Sequence, residues 1–406
     1  MVDEDDPGPS VTRDLVRAFQ LRRHHLDERI KGKRALLDVT GACGVQDSPP
    51  GSATVAIGAR VAGLTADAVE HALEDTRTLV RTWAMRGAPF IVPTADLPVF
   101  TTGVLPVDEE ARTNLIYGVR GSLDALSIGL DELVATTAAA VRNVLSGERL
   151  DINELGRQVA DRIAPTLSDT DRAAWDAEGP HAKGQPVGEA LVHFCVRLLT
   201  LQQLVCFGPR DGRRAPFVLV SEWLDDLPSI SGMAARRELV IRYLRAYGPS
   251  SRAGLADWLG INSSDAAPWW ALVEGDVTPV DVEGSRRWVL TDDLETLAVS
   301  DPERVEGVRL LPPGDPFLQV PDRDILVDDR ERRQQLWRSL HAPGAVLVDG
   351  DIVGTWRSRK TSRALEVAVK GFAPLSSATR EAVVHEARSV AAVRNKEDAA
   401  VEFVDR

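Results

Sequence analysis

The chain has 406 residues, 44% of them hydrophobic and 27% charged, with a formal net charge of −13. At about 100–200 residues per domain this is a globular chain of two to four domains, which excludes a single small module, a disordered segment or a fibre. The acid excess argues against a protein that coats nucleic acid through bulk positive charge, but the charge is uneven: Arg13–Arg34 holds eight basic residues against three acidic ones, and Trp356–Ala364 holds four with no acid.

The first residues (Asp3, Glu4, Asp5, Asp6) are acidic where a secretory signal would be basic and then apolar. Residues 1–10 are therefore expected to be an acidic disordered tail, and the protein to be cytoplasmic. Helices at about Arg13–Arg29, Arg34–Cys43 and Ala66–Asp75 then precede apolar segments Leu79–Met85 and Phe90–Val92, joined at Arg86-Gly87. The order repeats near Asp131. Leu133, Thr137, Ala140, Val141 and Val144 fall at helical spacing, Ser146-Gly147 ends that helix, and Asp151 with Glu154 opens another at Ile152–Ile163. A third helix, Val187–Leu204, leads to strands Leu204–Phe207 and Phe217–Val220 across Asp211-Gly212. Its apolar run Leu191–Leu201 is broken by His193 and Arg197, far short of the roughly 20 residues of a membrane span.

In the next repeat, Arg236–Tyr247 ends at Gly248-Pro249, Ser251 caps Arg252–Leu259, and Ser263-Ser264 begins a helix through Val273. Strands Val277–Val282 and Arg287–Leu290 follow, with a turn at Glu283-Gly284. Three helices and then a hairpin is the order of a winged helix-turn-helix. The reading is of units at 11–105, 131–230 and 231–300, with 106–130 as a connecting segment. Residues 301–406 look different: strands Ala345–Val348, Asp351–Trp356 and Ala364–Val369, a helix Ser377–Arg394 and a strand Ala399–Val404 form a small β-rich unit. Its segment Arg357–Arg363 reads as a basic hairpin tip.

The wing tips carry Arg86, then Arg210, Arg213 and Arg214, then Arg286 and Arg287, while the basic hairpin carries Arg357, Arg359, Lys360 and Arg363. A solvated loop tip is the plain reading of each, since charge there is normal; these tips are also the parts that would reach a phosphate backbone. Cys43, Cys195 and Cys206 are odd in number and too widely spaced for a zinc site or a disulfide framework, and read as buried reduced thiols. His24 and His25 point about 100° apart on a helix, with no His or Cys one turn away. His385-Glu386 lacks the second His of a zinc-protease helix. There is no Gly-rich loop ending in Lys-Ser/Thr, no Gly-x-Ser-x-Gly and no Gly-x-Gly-x-x-Gly after a strand. No metal and no cofactor, nucleotide cofactors included, is expected.

Gln46-Asp47-Ser48-Pro49-Pro50 is an extended loop, because proline restricts the residue before it. Gln46 and Ser48 then share a face and Asp47 points away. On its own this reads as a polar loop with a rigid Pro-Pro turn.

The block Gly44-Val45-Gln46-Asp47-Ser48 within Leu37–Arg60, the stretch Leu79–Gly87, Leu310–Pro316, Val348-Asp349-Gly350 and Val353–Arg357 resemble the winged-helix DNA-binding superfamily that contains the DNA glycosylases AlkZ and YcaQ. The similarity covers nearly the whole chain. It implies an α+β fold of three tandem winged helix-turn-helix units with a small C-terminal β-barrel-like domain. It also implies duplex DNA, with or without a lesion, as partner, and in active members excision of bulky alkylated or cross-linked purines. Those enzymes carry a Gln-x-Gln or Gln-x-Asp motif that positions water and stabilises charge on the sugar. Gln46 matches its first position. The second is Ser48, which is neither amide nor carboxylate, and Asp47 is one residue out of phase.

Two readings stand at this point. One is a monofunctional DNA glycosylase with an altered motif, Gln46 orienting water and Ser48 or Asp47 assisting. The other is a non-catalytic DNA-binding or regulatory protein on the same scaffold. Either is expected to be a monomer that makes no contact with membrane.

Overall fold

The computed structural model describes residues 8–116, 118–210, 212, 214–301 and 305–404. Helices and sheets are mixed along the chain, which folds as two units. One comprises the described parts of Met1–Ala72, Leu239–Trp258 and Ala267–Arg406; the other comprises Leu73–Glu238 and Leu259–Ala266. Segments 11–105 and 231–300 each contribute to both units.

The second unit is organised by helices Leu130–Val144, Ile152–Ile163 and Val187–Leu201. Their apolar faces meet in a core in which Leu133, Val141, Leu155, Val159, Leu191 and Leu198 are wholly buried, each such side chain contributing about 1.5–3 kcal/mol. Asp151 caps the middle helix by accepting the N–H groups of Asn153 and Glu154 at 3.1 and 3.0 Å, as its position before an apolar run dictates. A helix at Asp169–Asp176, capped by Ser168, has no counterpart in the sequence reading. It is mostly polar and is held by one apolar anchor, Trp175, which sits against Gly188 where a Cβ would lie 2.2 Å from the indole. Leu79–Trp83 pairs antiparallel with Pro89–Pro93, and Val205–Phe207 with Phe217–Leu219; Arg81 opposite Phe207 joins the two hairpins in one sheet. Trp83 packs edge-on against Phe207 with centroids 5.4 Å apart. The tryptophan of the Leu79–Gly87 block is thus half-buried and packs against the core.

In the first unit, Val277–Val282 and Ser285–Leu290 form an antiparallel hairpin closed by Glu283 and Gly284, both at positive φ. Of the expected tail, residues 1–7 lie outside the described residues. Residues 8–10 run along this hairpin: the Asp281 N–H donates to the Pro9 carbonyl at 3.0 Å, and Ser10–Val11 pairs parallel with Asp281 and Val282.

The C-terminal part is an open five-stranded sheet, not a barrel-like closure, in the order Asp398–Phe403, Ala364–Gly371, Asp351–Lys360, Gly344–Val348, Val308–Leu311. Helix Ser377–Ala392 covers one face, burying Val383, Ala387 and Ala391 against Val346, Leu365, Val367 and Val369. Trp356 lies in this core and donates its indole N–H to the Leu311 carbonyl at 2.7 Å. The basic hairpin tip is shorter than the sequence suggests. Pairing continues through Arg357–Ala368, Ser358–Val367, Arg359–Glu366 and Lys360–Leu365, so only Thr361–Arg363 turns. Arg357 and Arg359 accordingly share one strand face, and Ser358 and Lys360 the other.

Candidate functional site

Helix Ala35–Cys43 ends at Gly44, whose φ of 73° turns the chain into the two-residue strand Val45–Gln46. Asp47 to Pro50 carry it on to helix Ser52–Gly58. Exposure alternates as in an extended segment: Gln46 is half-buried, Asp47 is 2% exposed and Ser48 is exposed. Turned inward, the Asp47 carboxylate accepts the N–H groups of Gly51 at 2.7 Å and Ala53 at 3.4 Å. It caps a helix whose preceding residue, Gly51, has no side chain to do so. The Ser52 hydroxyl closes the loop by donating to the Gln46 carbonyl at 3.1 Å.

The Gln46 side chain is held from the other end of the chain. Gln319 Nε2 donates to Gln46 Oε1 at 3.3 Å and to the Gly314 carbonyl at 2.8 Å. Gly314 has φ 73°, and a Cβ there would lie 3.0 Å from the Ser48 carbonyl and 3.2 Å from Gln46 Nε2. Glycine is needed at this position both for the turn and for the close approach. Its neighbour Asp315 is fully buried and forms a bidentate pair with Arg60, at 2.8 and 2.7 Å. Arg60 also donates to the Ala56 carbonyl at 2.8 Å, and the Tyr247 hydroxyl donates to the Pro316 carbonyl at 3.0 Å. The Leu310–Pro316 block is therefore the platform on which the Gln46–Ser48 loop rests.

Cations gather on another side of this loop. A Cβ on Gly51 would lie 2.6 Å from Arg394 Nη1. Burial lowers the Arg394 pKa, with the Asp47 charge acting in the opposite sense. Burial, then repulsion from Arg394 and Lys396, holds the Lys360 ammonium below its ordinary value, with Glu70 opposing. The Lys396 ammonium donates to the Ser362 carbonyl at the hairpin turn at 3.2 Å. The motif loop, the end of helix Ser377–Ala392 and the basic hairpin thus share one positive neighbourhood. Sequence reading missed the parts of Arg394 and Lys396, because a helix end followed by polar residues carries no sign of what it faces.

The other expected phosphate contacts are placed as follows. Arg357 is exposed and donates to the His341 carbonyl at 2.6 Å, Arg359 pairs with Glu366 across the strands at 2.7 Å, and Arg363 is exposed at the turn. Arg286 is exposed, with its guanidinium 5.7 Å from the centroid of the Trp288 ring. Arg287 is engaged by Asp322 at 2.8 Å, which raises its pKa above the ordinary guanidinium value. In the second unit, Arg86 is exposed at φ 55°. Arg210 and Arg214 line a concavity of about 660 Å³ together with Arg149 and Arg157, and Arg214 lies 4.0 Å from Asp151. Arg213 lies outside the described residues.

Among the described residues no group of His, Cys, Asp and Glu side chains could hold a metal ion, and no helix is long and apolar enough to cross a membrane. The three thiols are buried, and burial pushes Cys43 up to about 11 and Cys195 and Cys206 up to about 12. None is an activated nucleophile.

An amide braced on a loop beside a cation cluster suits the class of repair glycosylases that place a water against DNA. The family model for AlkZ-like DNA glycosylases matches residues 39–393, and the chain belongs to this family. A curated relative, the interstrand DNA cross-link repair glycosylase of Streptomyces sahachiroi, is 28% identical over 366 residues, covering 84% of this chain and 86% of its own. The solved structure of the Streptomyces sahachiroi DNA glycosylase AlkZ superposes with a TM-score of 0.74 at 24% identity, over 97% of this chain and 100% of that one. That match is a likeness of fold.

Proposed function

We propose that the protein is a monofunctional DNA glycosylase that releases bulky alkylated or cross-linked purines from duplex DNA, slowly because Ser48 stands where the family carries an amide or a carboxylate. The observation that carries this reading is the bracing of the Gln46 amide by Gln319 and Gly314, on a loop whose Gly51 meets Arg394. In the reaction, water oxygen bonds to the sugar C1′ while the C1′–N9 bond breaks. The bond's electrons pass to the purine, already cationic through alkylation at N7, and the water proton leaves to solvent. The products are free base and an abasic sugar. The Gln46 amide holds the water by a hydrogen bond, and the exposed Ser48 hydroxyl gives the water a further contact. Asp47 does not touch the water; its charge, spent largely on the helix it caps, offers only longer-range stabilisation of the oxocarbenium-like state.

The three hairpins centred on Arg86-Gly87, Gly212 and Glu283-Gly284 we read as wings of three winged helix-turn-helix units, with Arg86, Arg210, Arg214 and Arg286 at their tips. The hairpin Arg357, Arg359, Lys360 and Arg363 is read as a phosphate contact. Duplex DNA is the partner, and the protein acts as a monomer. The test is release of free base from a duplex carrying N7-alkylated or cross-linked guanine. Slow release is expected, slowed further but still measurable in Gln46→Ala and raised in Ser48→Asp or Ser48→Gln. Release that survives loss of both Gln46 and Asp47 would place the chemistry elsewhere. Ser48 also favours a second reading, a DNA-binding protein without excision, and release from no variant, with duplex binding retained, would favour it.

A further inference from the structure

We propose that Gln319 is the positioning residue of the water-holding amide. The inference rests on the glycosylase reading of Gln46. An amide nitrogen has two N–H donors, and Gln319 directs both into the site: one to the Gly314 carbonyl at 2.8 Å and one to Gln46 Oε1 at 3.3 Å. A merely structural tie to the Gly314 turn would need only the first.

The second bond matters because of how a glutamine side chain rotates. Its terminal torsion is soft and roughly two-fold, so an unbraced Gln46 would interchange Oε1 and Nε2 and offer a water either an acceptor or a donor. A donor fixed at Oε1 selects one orientation. It fixes the carbonyl oxygen by a bond at the long end of the hydrogen-bond range, so that the side of the amide a water meets is set. Gly314 seals the arrangement from the Nε2 end, since a Cβ there would lie 3.2 Å from that atom. Gln319 itself is fixed by the short helical turn Pro316–Gln319, whose first N–H is capped by Asp315: its carboxylate, buried against Arg60, accepts the Phe317 N–H at 2.9 Å. The chain of support thus runs from a buried ion pair through a capped turn to Gln319 and on to the Gln46 amide.

Substitution by glutamate separates positioning from packing. Gln319→Glu keeps size and polarity but has no N–H, and sets a carboxylate oxygen against Gln46 Oε1 and the Gly314 carbonyl, which drives the Gln46 amide to flip. The experiment uses the full chain and a duplex with one N7-methylguanine, in excess enzyme. Gln319→Glu and Gln319→Leu are each expected to slow single-turnover base release about 10²-fold, the scale of loss from an approximately 1 Å misplacement. Duplex affinity should stay at the wild-type value, and each variant should still unfold in one cooperative transition. On a Gln46→Ala background, Gln319→Leu should cost nothing more. Release by Gln319→Glu near the wild-type rate, or a further loss on the Gln46→Ala background, would overturn the proposal.

A second measurement judges Gln319 apart from activity. The side-chain amide resonances of Gln46, assigned by their loss in Gln46→Ala, should move in both Gln319 variants, and unmoved resonances in a folded variant would overturn the proposal. If the wild type releases no base, the glycosylase reading fails on that result, while the resonances still decide whether Gln319 sets the Gln46 amide.

Discussion

Arg60 and Asp315, 255 residues apart in sequence, meet as a bidentate ion pair with side chains 3% and 0% exposed. The pair joins the end of helix Ser52–Gly58 to the turn that carries Gly314 and Gln319, so the two halves of the Gln46 site are registered by a contact that no water reaches. A buried pair of this kind adds little net stability over apolar residues of the same volume, but removing one partner leaves an uncompensated charge. Asp315→Asn and Arg60→Met should therefore each cost about 3–5 kcal/mol in urea unfolding. The double change Arg60→Met with Asp315→Leu should recover most of that loss while base release stays low, because the turn is no longer held in register. Single variants as stable as wild type would show that the pair is not what holds the loops.

Gly314 tests the close approach directly. Gly314→Ala puts a Cβ at φ 73° against the Ser48 carbonyl and Gln46 Nε2. Gly63 has nearly the same backbone, φ 68°, with nothing within 4 Å of its Cβ position. Gly63→Ala should show the backbone strain alone, of order 1–3 kcal/mol. Gly314→Ala should show that strain plus a drop in base release. Equal stability and equal activity in the two variants would mean that the Gln46 loop can retreat at no cost.

Much of this fold is legible in the sequence, and for specific reasons. Ile152–Ile163 and Arg252–Leu259 match the expected limits because each begins beside a capping residue and carries a periodic apolar face. The turns at Arg86-Gly87 and Glu283-Gly284 were readable because positive φ favours such pairs. Helix Ser52–Gly58 was not, since its cap, Asp47, lies five residues before it. The alternation of Gln46, Asp47 and Ser48 followed from the prolines. Their partners did not, because Gln319, Gly314 and Arg394 reach the loop only through tertiary contacts, and a lone glutamine 273 residues away carries no local sign of its task.

The shared positive neighbourhood predicts how binding responds to salt. Each phosphate contact releases condensed counterion, so log affinity falls with log salt by about 0.9 per contact on duplex DNA. Lys360→Gln and Arg394→Gln should each weaken binding to any duplex sequence and flatten that slope by about one contact. Neutralising Arg357, Arg359, Lys360 and Arg363 together should flatten it further. Arg287→Gln, whose guanidinium already serves Asp322, should change the slope least. An unchanged slope in the Lys360 and Arg394 variants would remove the cluster from the DNA interface.

The three thiols give a simple probe of integrity. With Cys43, Cys195 and Cys206 buried and their ionisation suppressed, an aromatic disulfide reagent should titrate none of them in the native protein and all of them in denaturant. Rapid native labelling of any one would mean that its part of the core opens readily.

His24 makes stability depend on pH. Its ring is buried edge-on against Tyr247 and Phe317, with centroids 5.2 and 5.6 Å away. Its pKa lies well below 6.5, first because burial penalises the charged ring and then because Arg60 and His25 repel it, with a hydrogen bond from the ring to the Ala246 backbone opposing. His25 and His193 are lowered too, again chiefly by burial. Between the folded and unfolded values the unfolded chain binds the extra proton, so stability rises with pH across that window. The contribution is whole above about pH 6.5 and drains away as pH falls, at up to about 1.4 kcal/mol per pH unit for each such proton. Asp293, whose pKa is raised mainly by burial, works in the opposite sense at lower pH. Urea midpoints measured from about pH 7.5 down to about pH 5 should fall for the wild type and fall less steeply for His24→Phe, which keeps the aromatic contacts and removes the titrating ring. Parallel profiles for the two proteins would show that His24 does not carry this dependence.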